Sequence, residues 1–271
     1  MLLRSRDAKK APISAPKQED SKVATKEEHF EFAGPHGTIL VVLGLPIVVV
    51  GLFALCNQET CSVFALENVF KFYEHNDLLS WGAFAVYTGY LIYQLVLSVF
   101  APGKTMKGTI LADKTRLNYK LNGFSSLLVS CLSVIMLVRT FGFSPLLWVS
   151  DNCLQLAGSG IIVSLSVSLI LYLLSFRSSD VILADGGNTG YPIYDFWMGR
   201  ELNPRILWGM IDIKYVCELR PSLIGWAILN FCFAVRQYIN LGYVTNSMML
   251  VNVFQAYYVF DAVLIVYSAL E

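Results

Sequence analysis

Four stretches of this chain, residues 38–56, 78–101, 121–138 and 152–176, run for the length of a membrane crossing without one charged side chain. A helix rising about 1.5 Å per residue needs roughly 20 apolar residues to cover the hydrocarbon of a bilayer. In that medium every backbone N–H and C=O has to bond within its own segment, so each stretch is restricted to a helix. Residues 222–235 and 239–260 read as a fifth and a sixth span, although both carry polar residues and the fifth is short. Pro46 falls inside the first span, where a kink is expected. The fold class that follows is all-α: a polytopic membrane helix bundle of about six spans. Composition agrees, because 55% hydrophobic and 15% charged residues with a mean hydropathy of +0.56 are too apolar for an ordinary water-soluble domain of 271 residues.

The same numbers exclude some function classes. The formal net charge is zero and no basic stripe is interleaved with aromatics, so no nucleic-acid partner is expected. Cysteines stand at 56, 61, 131, 153, 217 and 232, and Cys56 with Cys61 is the one close pair. Zinc needs about four ligands, and no histidine or second cysteine pair stands beside these two, so no metal site is expected. Isolated thiols packing as small hydrophobes are the expectation over a Cys56–Cys61 disulfide in an oxidising lumen.

Lysine and arginine orient the bundle. The N-terminal tail carries Arg4, Arg6, Lys9, Lys10, Lys17, Lys22 and Lys26, whereas the segment after the first span has Lys71 against Glu59, Glu67, Glu74 and Asp77. Residues 102–120 hold Lys104, Lys107, Lys114, Arg116 and Lys120; Arg139 precedes the fourth span, and Arg177, Arg200, Arg205, Lys214 and Arg220 follow it. The positive-inside rule therefore expects a cytoplasmic N-terminus, with residues 102–120 and the segment after the fourth span on the same side. Residues 1–30, polar and without apolar periodicity, are expected to form a disordered tail. Asp7, Glu19, Asp20, Glu27 and Glu28 dilute its charge and argue against a polybasic lipid-binding arm. The first apolar run is too long for a signal peptide and lacks a small-residue cleavage site, so it is expected to persist as an anchor.

Polar side chains concentrate in "GGNTGYPIYDFWMGRELNPRI", residues 186–206. Its glycines lack the G-x-G-x-x-G spacing of a dinucleotide loop and follow a membrane span, so a tight turn with positive φ at Gly and Asn is expected. The aromatics at 191, 194, 196 and 197 suggest a short amphipathic segment at the interface. Asn203-Pro204 reads as the N-cap and first residue of a new helix over "NPRILWGMIDIKYV", and Arg220-Pro221 repeats the device at the fifth span. Two readings compete for the charges. Asp195, Arg200, Glu201 and Arg205 either pair with one another or with headgroups as scaffold, or border a ligand cavity. Asp195 or Glu201 would serve as a proton donor if an apolar site raised its pKa. Asn230, Arg236, Gln237, Tyr238, Asn246, Asn252, Gln255, Tyr257 and Asp261 make the last two spans polar, either as interhelical glue or as a cavity lining.

Together, "GNTGYPIYDFWMGRELNPRI", "DIKYVCELRPSLIGW", "LNF" and "VTNSMMLVNVFQAYYVFDAVL", with "EFAGPHGT" and "YKLNGF" upstream, closely resemble the sterol reductase family. That family includes the sterol C14 reductases and the membrane domain of the lamin B receptor; "GRELNPR" and "ELRP" look most like the C14 branch. The resemblance covers residues 31–264, between the polar tail 1–30 and a divergent stretch 265–271 reading "IVYSALE". It implies a multi-pass endoplasmic-reticulum enzyme of sterol biosynthesis that reduces a sterol C14–C15 double bond with NADPH, by protonation and then hydride transfer. The implied partners are the sterol, the lipid bilayer and other membrane enzymes of sterol synthesis. Asn188, Tyr194, Asp195, Arg200, Glu201, Asn203 and Arg205 are the motif residues that would border the substrate. Family members continue past "FDAVL" with an acidic segment and further helices that carry most of the NADPH pocket, so no cofactor ligand carries over to a numbered residue here. The expectation is a truncated, alternatively spliced or misread product, inactive alone. The alternative is a non-catalytic membrane protein that binds sterol or partners a reductase.

Overall fold

The structure, a computed structural model, describes residues 30–56, 62, 64, 69, 72, 77–111, 114–177, 181–184 and 186–268. The expected tail, the acidic segment after the first span and Cys61 lie outside them. Four long helices follow the apolar windows, α1 (Gly34–Leu55), α2 (Trp81–Phe100), α3 (Gly123–Phe141) and α5 (Cys153–Leu174), with α4 (Ser144–Asp151), too short to cross, between the last two. Later elements are α6 (Pro192–Met198), α7 (Ile213–Leu219), α8 (Pro221–Leu241) and α9 (Asn246–Ser268). Taking α7 and α8 as one stretch, 6 helical segments are long and apolar enough to cross a membrane. The membrane bundle expected from the sequence is therefore what the chain forms.

Burial is inverted relative to a water-soluble protein. Thr38, Gln94, Asn122, Ser126, Ser130 and Ser159 are buried, whereas Leu40 and Ile47 are 74% and 69% exposed. Hydrocarbon supplies no drive to hide leucine, so helices associate through small residues and interhelical hydrogen bonds. Between α2 and α3, Gln94 Nε2 donates to Ser130 Oγ at 3.1 Å, and the Tyr93 and Ser133 hydroxyls meet at 2.9 Å.

Helix ends follow local chemistry. Ser80 caps α2, its hydroxyl accepting from the Ala83 N–H at 3.0 Å. Gly242, with φ 78°, closes α8 in the left-handed conformation, and α9 restarts at Asn246. The fifth span is thus longer than 222–235, and the sixth begins after the turn rather than at 239. In the last two spans, Gln237 Oε1 accepts from the Thr245 N–H at 2.9 Å and Arg236 pairs with Asp151 of α4, so these two polar residues tie the turn and the bundle.

Two hairpins interrupt the helical pattern. Strands β1 (Lys104–Ile110) and β2 (Arg116–Leu121) pair antiparallel, Lys104 opposite Leu121, with a register shift between Lys107 and Ile110. Asn122, just after β2, places Nδ2 3.0 to 3.2 Å from the carbonyls of Leu97, Ser98 and Ala101 and so caps the end of α2, where the Leu97 carbonyl also accepts from the Ala101 N–H at 2.9 Å. Strands β3 (Arg205–Ile206) and β4 (Ile211–Asp212) form the second hairpin where a helix from Asn203-Pro204 was expected. Asn203 spends its side chain elsewhere, donating to Tyr119 Oη at 2.7 Å and Asp212 Oδ2 at 2.8 Å. The helix restarts at Asp212 instead, whose Oδ1 accepts from the Tyr215 N–H at 3.1 Å. Among the cysteines, Cys131, Cys153, Cys217 and Cys232 are free thiols, as expected, whereas Cys56 is disulfide-bonded.

Candidate functional site

The polar stretch leaves α5 and folds back on itself. The Ala184 N–H donates to the Arg200 carbonyl at 3.0 Å and the Leu202 N–H to the Ile182 carbonyl at 2.9 Å, so residues 182–184 run against 200–202. Gly187 permits this closure, because a Cβ there would sit 2.9 Å from both Arg200 Cα and the Gly199 carbonyl oxygen. Gly190 takes the positive φ expected of the exit turn, 89°, and Gly199 ends α6 at φ 77°. Asn188 is not among the positive-φ residues.

Asp195, buried on α6, organises that turn. Its Oδ1 accepts from the Thr189 N–H and hydroxyl, both at 2.8 Å, and its Oδ2 from the Gly190 N–H at 3.2 Å. The Gly-rich loop therefore turns its amides onto the chain's own carboxylate. Tyr194, 1% exposed, accepts from the Glu31 N–H at 2.9 Å and stacks edge-on with Phe30 at 5.2 Å, while Phe32 meets Trp197 at 6.0 Å. A strap of residues 30–34, which leads into α1, is thereby clasped onto α6.

Arg200 and Glu201 point to different partners. Arg200 donates to Asn188 Oδ1 at 3.2 Å and to the Ser175 carbonyl at 2.8 Å, with its guanidinium 4.0 Å from the Phe176 centroid. Glu201 accepts from both terminal nitrogens of Arg177 at 2.7 and 2.9 Å. That hydrogen bond raises the Arg177 pKa above its ordinary value, burial opposing it. Lys214 on α7 donates to the Gly199 and Glu201 carbonyls at 3.0 and 2.5 Å. Arg205 donates to the Gly209 and Asn118 carbonyls and lies 5.0 Å from the Tyr119 centroid. Asp195, Arg200, Glu201 and Arg205 are thus each bound to a separate partner rather than to one another. Because Arg177 is 45% exposed, screening limits the pair, and Glu201→Gln is expected to lower stability by only about 1 kcal/mol in thermal unfolding of the detergent-solubilised protein.

A cavity of about 360 Å³ lies between α2, α5 and the polar stretch. Tyr87, Tyr90 and Leu91 form one wall, Ser164, Val167, Ser168 and Leu171 the other, and Arg200, Glu201 and Lys214 close one end. Ser164 and Ser168 are exposed, so the cavity opens sideways through the lipid-facing surface of α5. Glycines seat its tyrosines. A Cβ on Gly160 would lie 3.3 Å from the Tyr87 ring, and one on Gly225 would lie 3.1 Å from the Tyr90 hydroxyl, which donates to the Pro221 carbonyl at 3.2 Å. A second cleft, of about 320 Å³, lies between Arg177, Val181, Glu201, Asn203 and Arg205, so Glu201 borders both spaces. Asn188, Tyr194 and Asp195 line neither.

From the sequence, Tyr87 and Tyr90 read as interfacial or bundle-facing groups, whereas Lys214 and the two serines were not legible as site residues. One signal was available: Gly160, Ser164 and Ser168 recur every fourth residue and lay a small-residue face along α5. Among the described residues no group of three or more His, Cys, Asp or Glu is placed to hold a metal.

Residues 26–268 match the family model described as "Ergosterol biosynthesis ERG4/ERG24 family". The chain is 36% identical to a Delta(14)-sterol reductase of Neurospora crassa over 92% of its own length and 55% of that protein. It is 37% identical to the Delta(14)-sterol reductase of Schizosaccharomyces pombe, over 90% of this chain and 58% of the relative. With the chicken protein named Delta(14)-sterol reductase LBR the identity is 36%, over 89% and 37% of the two lengths. The chain spans little more than half the length of the fungal relatives. On the extent of these matches and the membrane bundle beneath them, the chain belongs to the ergosterol biosynthesis ERG4/ERG24 family.

Proposed function

We propose that this chain supplies the sterol-binding part of a Δ14-sterol reductase of the endoplasmic-reticulum membrane, with its N-terminus and polar stretch on the cytoplasmic side. The observation that carries the reading is the sideways-opening cavity between α2 and α5. Its volume falls in the range of small-molecule sites, its lining is more apolar than polar, and its charged groups, Arg200, Glu201 and Lys214, stand at one end. A sterol dissolved in the bilayer would slide between the two helices and leave its ring system in an apolar slot. Lys214 has three donors, of which two are used on backbone carbonyls, so one remains for a ligand at the polar end. Arg200 and Glu201 border that end directly, whereas Asp195, Asn188 and Tyr194 hold the loop and strap behind it. Asn203 and Arg205 fasten the polar stretch to the β1–β2 hairpin.

Reduction of a C14–C15 double bond adds a proton and a hydride, and the reductant that the family reading implies is NADPH. The described residues do not fit a dinucleotide. A phosphate cradle needs free loop amides, and the Thr189 and Gly190 amides are already bound to Asp195. No step through the cofactor is assigned to this chain.

The test is a fungal strain lacking its own Δ14-sterol reductase. Joined in frame to whatever part of the S. pombe relative follows the segment it matches, residues 1–264 are expected to clear the accumulated Δ14 sterol, measured by gas chromatography and mass spectrometry. The 271-residue chain alone is expected to leave it unchanged. A chimera that accumulates in the membrane yet leaves the Δ14 sterol in place contradicts the reductase reading and favours a non-catalytic sterol-binding partner. Clearance by the chain alone contradicts the division of labour.

A further inference from the structure

The turn between β3 and β4 presents apolar side chains to the outside. Trp208 is 94% exposed, Met210 62% and Leu207 49%, and all three precede the span that begins at Ile213. Leu207, Trp208 and Gly209 follow one another at φ 49°, 54° and 83°. Left-handed backbone is costly for two bulky residues in succession, and here it holds a tryptophan outward. An exposed apolar patch of this kind marks contact with a partner or a membrane.

The root of the turn sets its depth. Ile211 is buried with Ile213 and Val216 against Leu95 and Val99 of α2 and Val167 and Leu171 of α5. Met210 shares a cleft with Ser98, two residues before α2 ends at Phe100. The tip therefore emerges where two spans leave the hydrocarbon. That is the level tryptophan prefers, with its ring at the acyl boundary and its indole N–H among the headgroups.

Positive charge adjoins the tip. Arg205 bridges the two hairpins, donating to the Gly209 carbonyl at 3.0 Å and to the Asn118 carbonyl at 2.9 Å. Asn118 stands opposite Lys107 in the β1–β2 ladder, and Arg116 opposite Ile110. All four are exposed, whereas Leu117 and Tyr119, which alternate with Arg116 and Asn118, are half-buried, so the outward face is the cationic one. Residues 104–121 carry Lys104, Lys107, Lys114, Arg116 and Lys120 against Asp113 alone. Among the described residues Lys107, Lys114 and Arg116 form no ion pair.

We infer that the Trp208 tip and the outward face of the β1–β2 hairpin together bind the surface of the bilayer and prefer anionic phospholipid. Leu207, Trp208 and Met210 enter the boundary between headgroups and acyl chains, while Lys107, Lys114 and Arg116 meet the lipid phosphates and carboxylates. A neutral leaflet would take the tip and leave the cations unanswered; an anionic one answers both. Because Arg205 ties tip to hairpin, the contact anchors the polar stretch to the leaflet.

The experiment uses the whole chain reconstituted in vesicles, with the Trp208 share of fluorescence taken as the difference between wild type and Trp208→Phe. Bromine, which quenches tryptophan on contact, is placed in the upper acyl chain of either phosphatidylserine or phosphatidylcholine at the same mole fraction. Both lipids are expected to quench the Trp208 share, the serine lipid about three- to tenfold more strongly. Acrylamide added to the water is expected to quench it little. Raising the salt to about 1 M should bring the ratio of the two lipids toward one, as the Debye length falls to about 3 Å. Lys107→Gln combined with Arg116→Gln should do the same at ordinary salt. All three positions are exposed, so these variants are expected to fold with wild-type Tm. Equal quenching by the two lipids in the wild type overturns the inference, as does a ratio unchanged in the double variant. A Trp208 open to acrylamide and untouched by both brominated lipids also overturns it, and gives the tip to a protein partner.

Discussion

Replacing Asp195 by alanine is expected to destabilise the detergent-solubilised protein by about 3–5 kcal/mol, the largest single effect among the motif residues. The carboxylate accepts three hydrogen bonds, two of them from backbone amides of the Gly-rich turn, while the residue itself is 5% exposed. Alanine removes the acceptor and leaves these donors facing the bundle without it. Asparagine keeps one acceptor oxygen but turns an amino group toward one of the donors, so Asp195→Asn should lose less than alanine, about 1–3 kcal/mol. Thermal unfolding measures both. Hydrogen exchange at the Thr189 and Gly190 amides should accelerate in each variant. A stable Asp195→Ala protein whose function alone is lost would instead place this carboxylate in the chemistry.

Gly37→Ala is expected to cost about 3 kcal/mol or more and to release the strap from α6. A Cβ at Gly37 would overlap the Phe32 carbonyl oxygen and come within 2.9 Å of its carbon, both backbone atoms with no rotamer through which to retreat. Phe32, Ala33 and Gly34 all carry positive φ, 53°, 57° and 69°, so the strap has little freedom left to absorb the clash. Relief requires lifting residues 30–34, and with them the Glu31 to Tyr194 hydrogen bond and the contacts of Phe30 and Phe32 with α6. Quenching of Trp197 fluorescence by a soluble quencher should rise in this variant. Wild-type quenching and wild-type Tm would show that the strap does not pack as described.

The helices were legible because hydrocarbon leaves the backbone a single solution and because charge-free windows are hard to mistake. Their ends were less so. Gly242 moves the last two spans through one left-handed residue, and Asn203-Pro204 carries a good helix-start pattern that tertiary hydrogen bonds to Tyr119 and Asp212 override. The β1–β2 hairpin hides in a lysine-rich connection: exposed β1 gives little sign of itself, whereas β2, reading RLNYKL, does alternate polar with apolar residues and was the one signal of a strand there. At the site, the motif residues were visible as a polar island in an apolar chain, yet their partners were not. Arg177 lies 24 residues from Glu201, and Tyr194 meets Glu31 across 163, separations that periodicity does not reach. Tyr87 and Tyr90 look like ordinary interfacial aromatics until Gly160 and Gly225 are seen opposite them.

The proposed function requires the space between α2 and α5 to be a sterol site. Photoaffinity labelling of the chain in lipid vesicles with a photoreactive Δ14 sterol tests it most directly, read by mass spectrometry of the labelled peptides and compared with Ser168→Trp, which fills the slot from its lipid-facing side. Saturable labelling of α2 and α5 that unlabelled sterol competes away is expected, reduced at least about tenfold in Ser168→Trp while its Tm stays near wild type. Labelling that does not saturate, or that a folded Ser168→Trp protein retains in full, would contradict it.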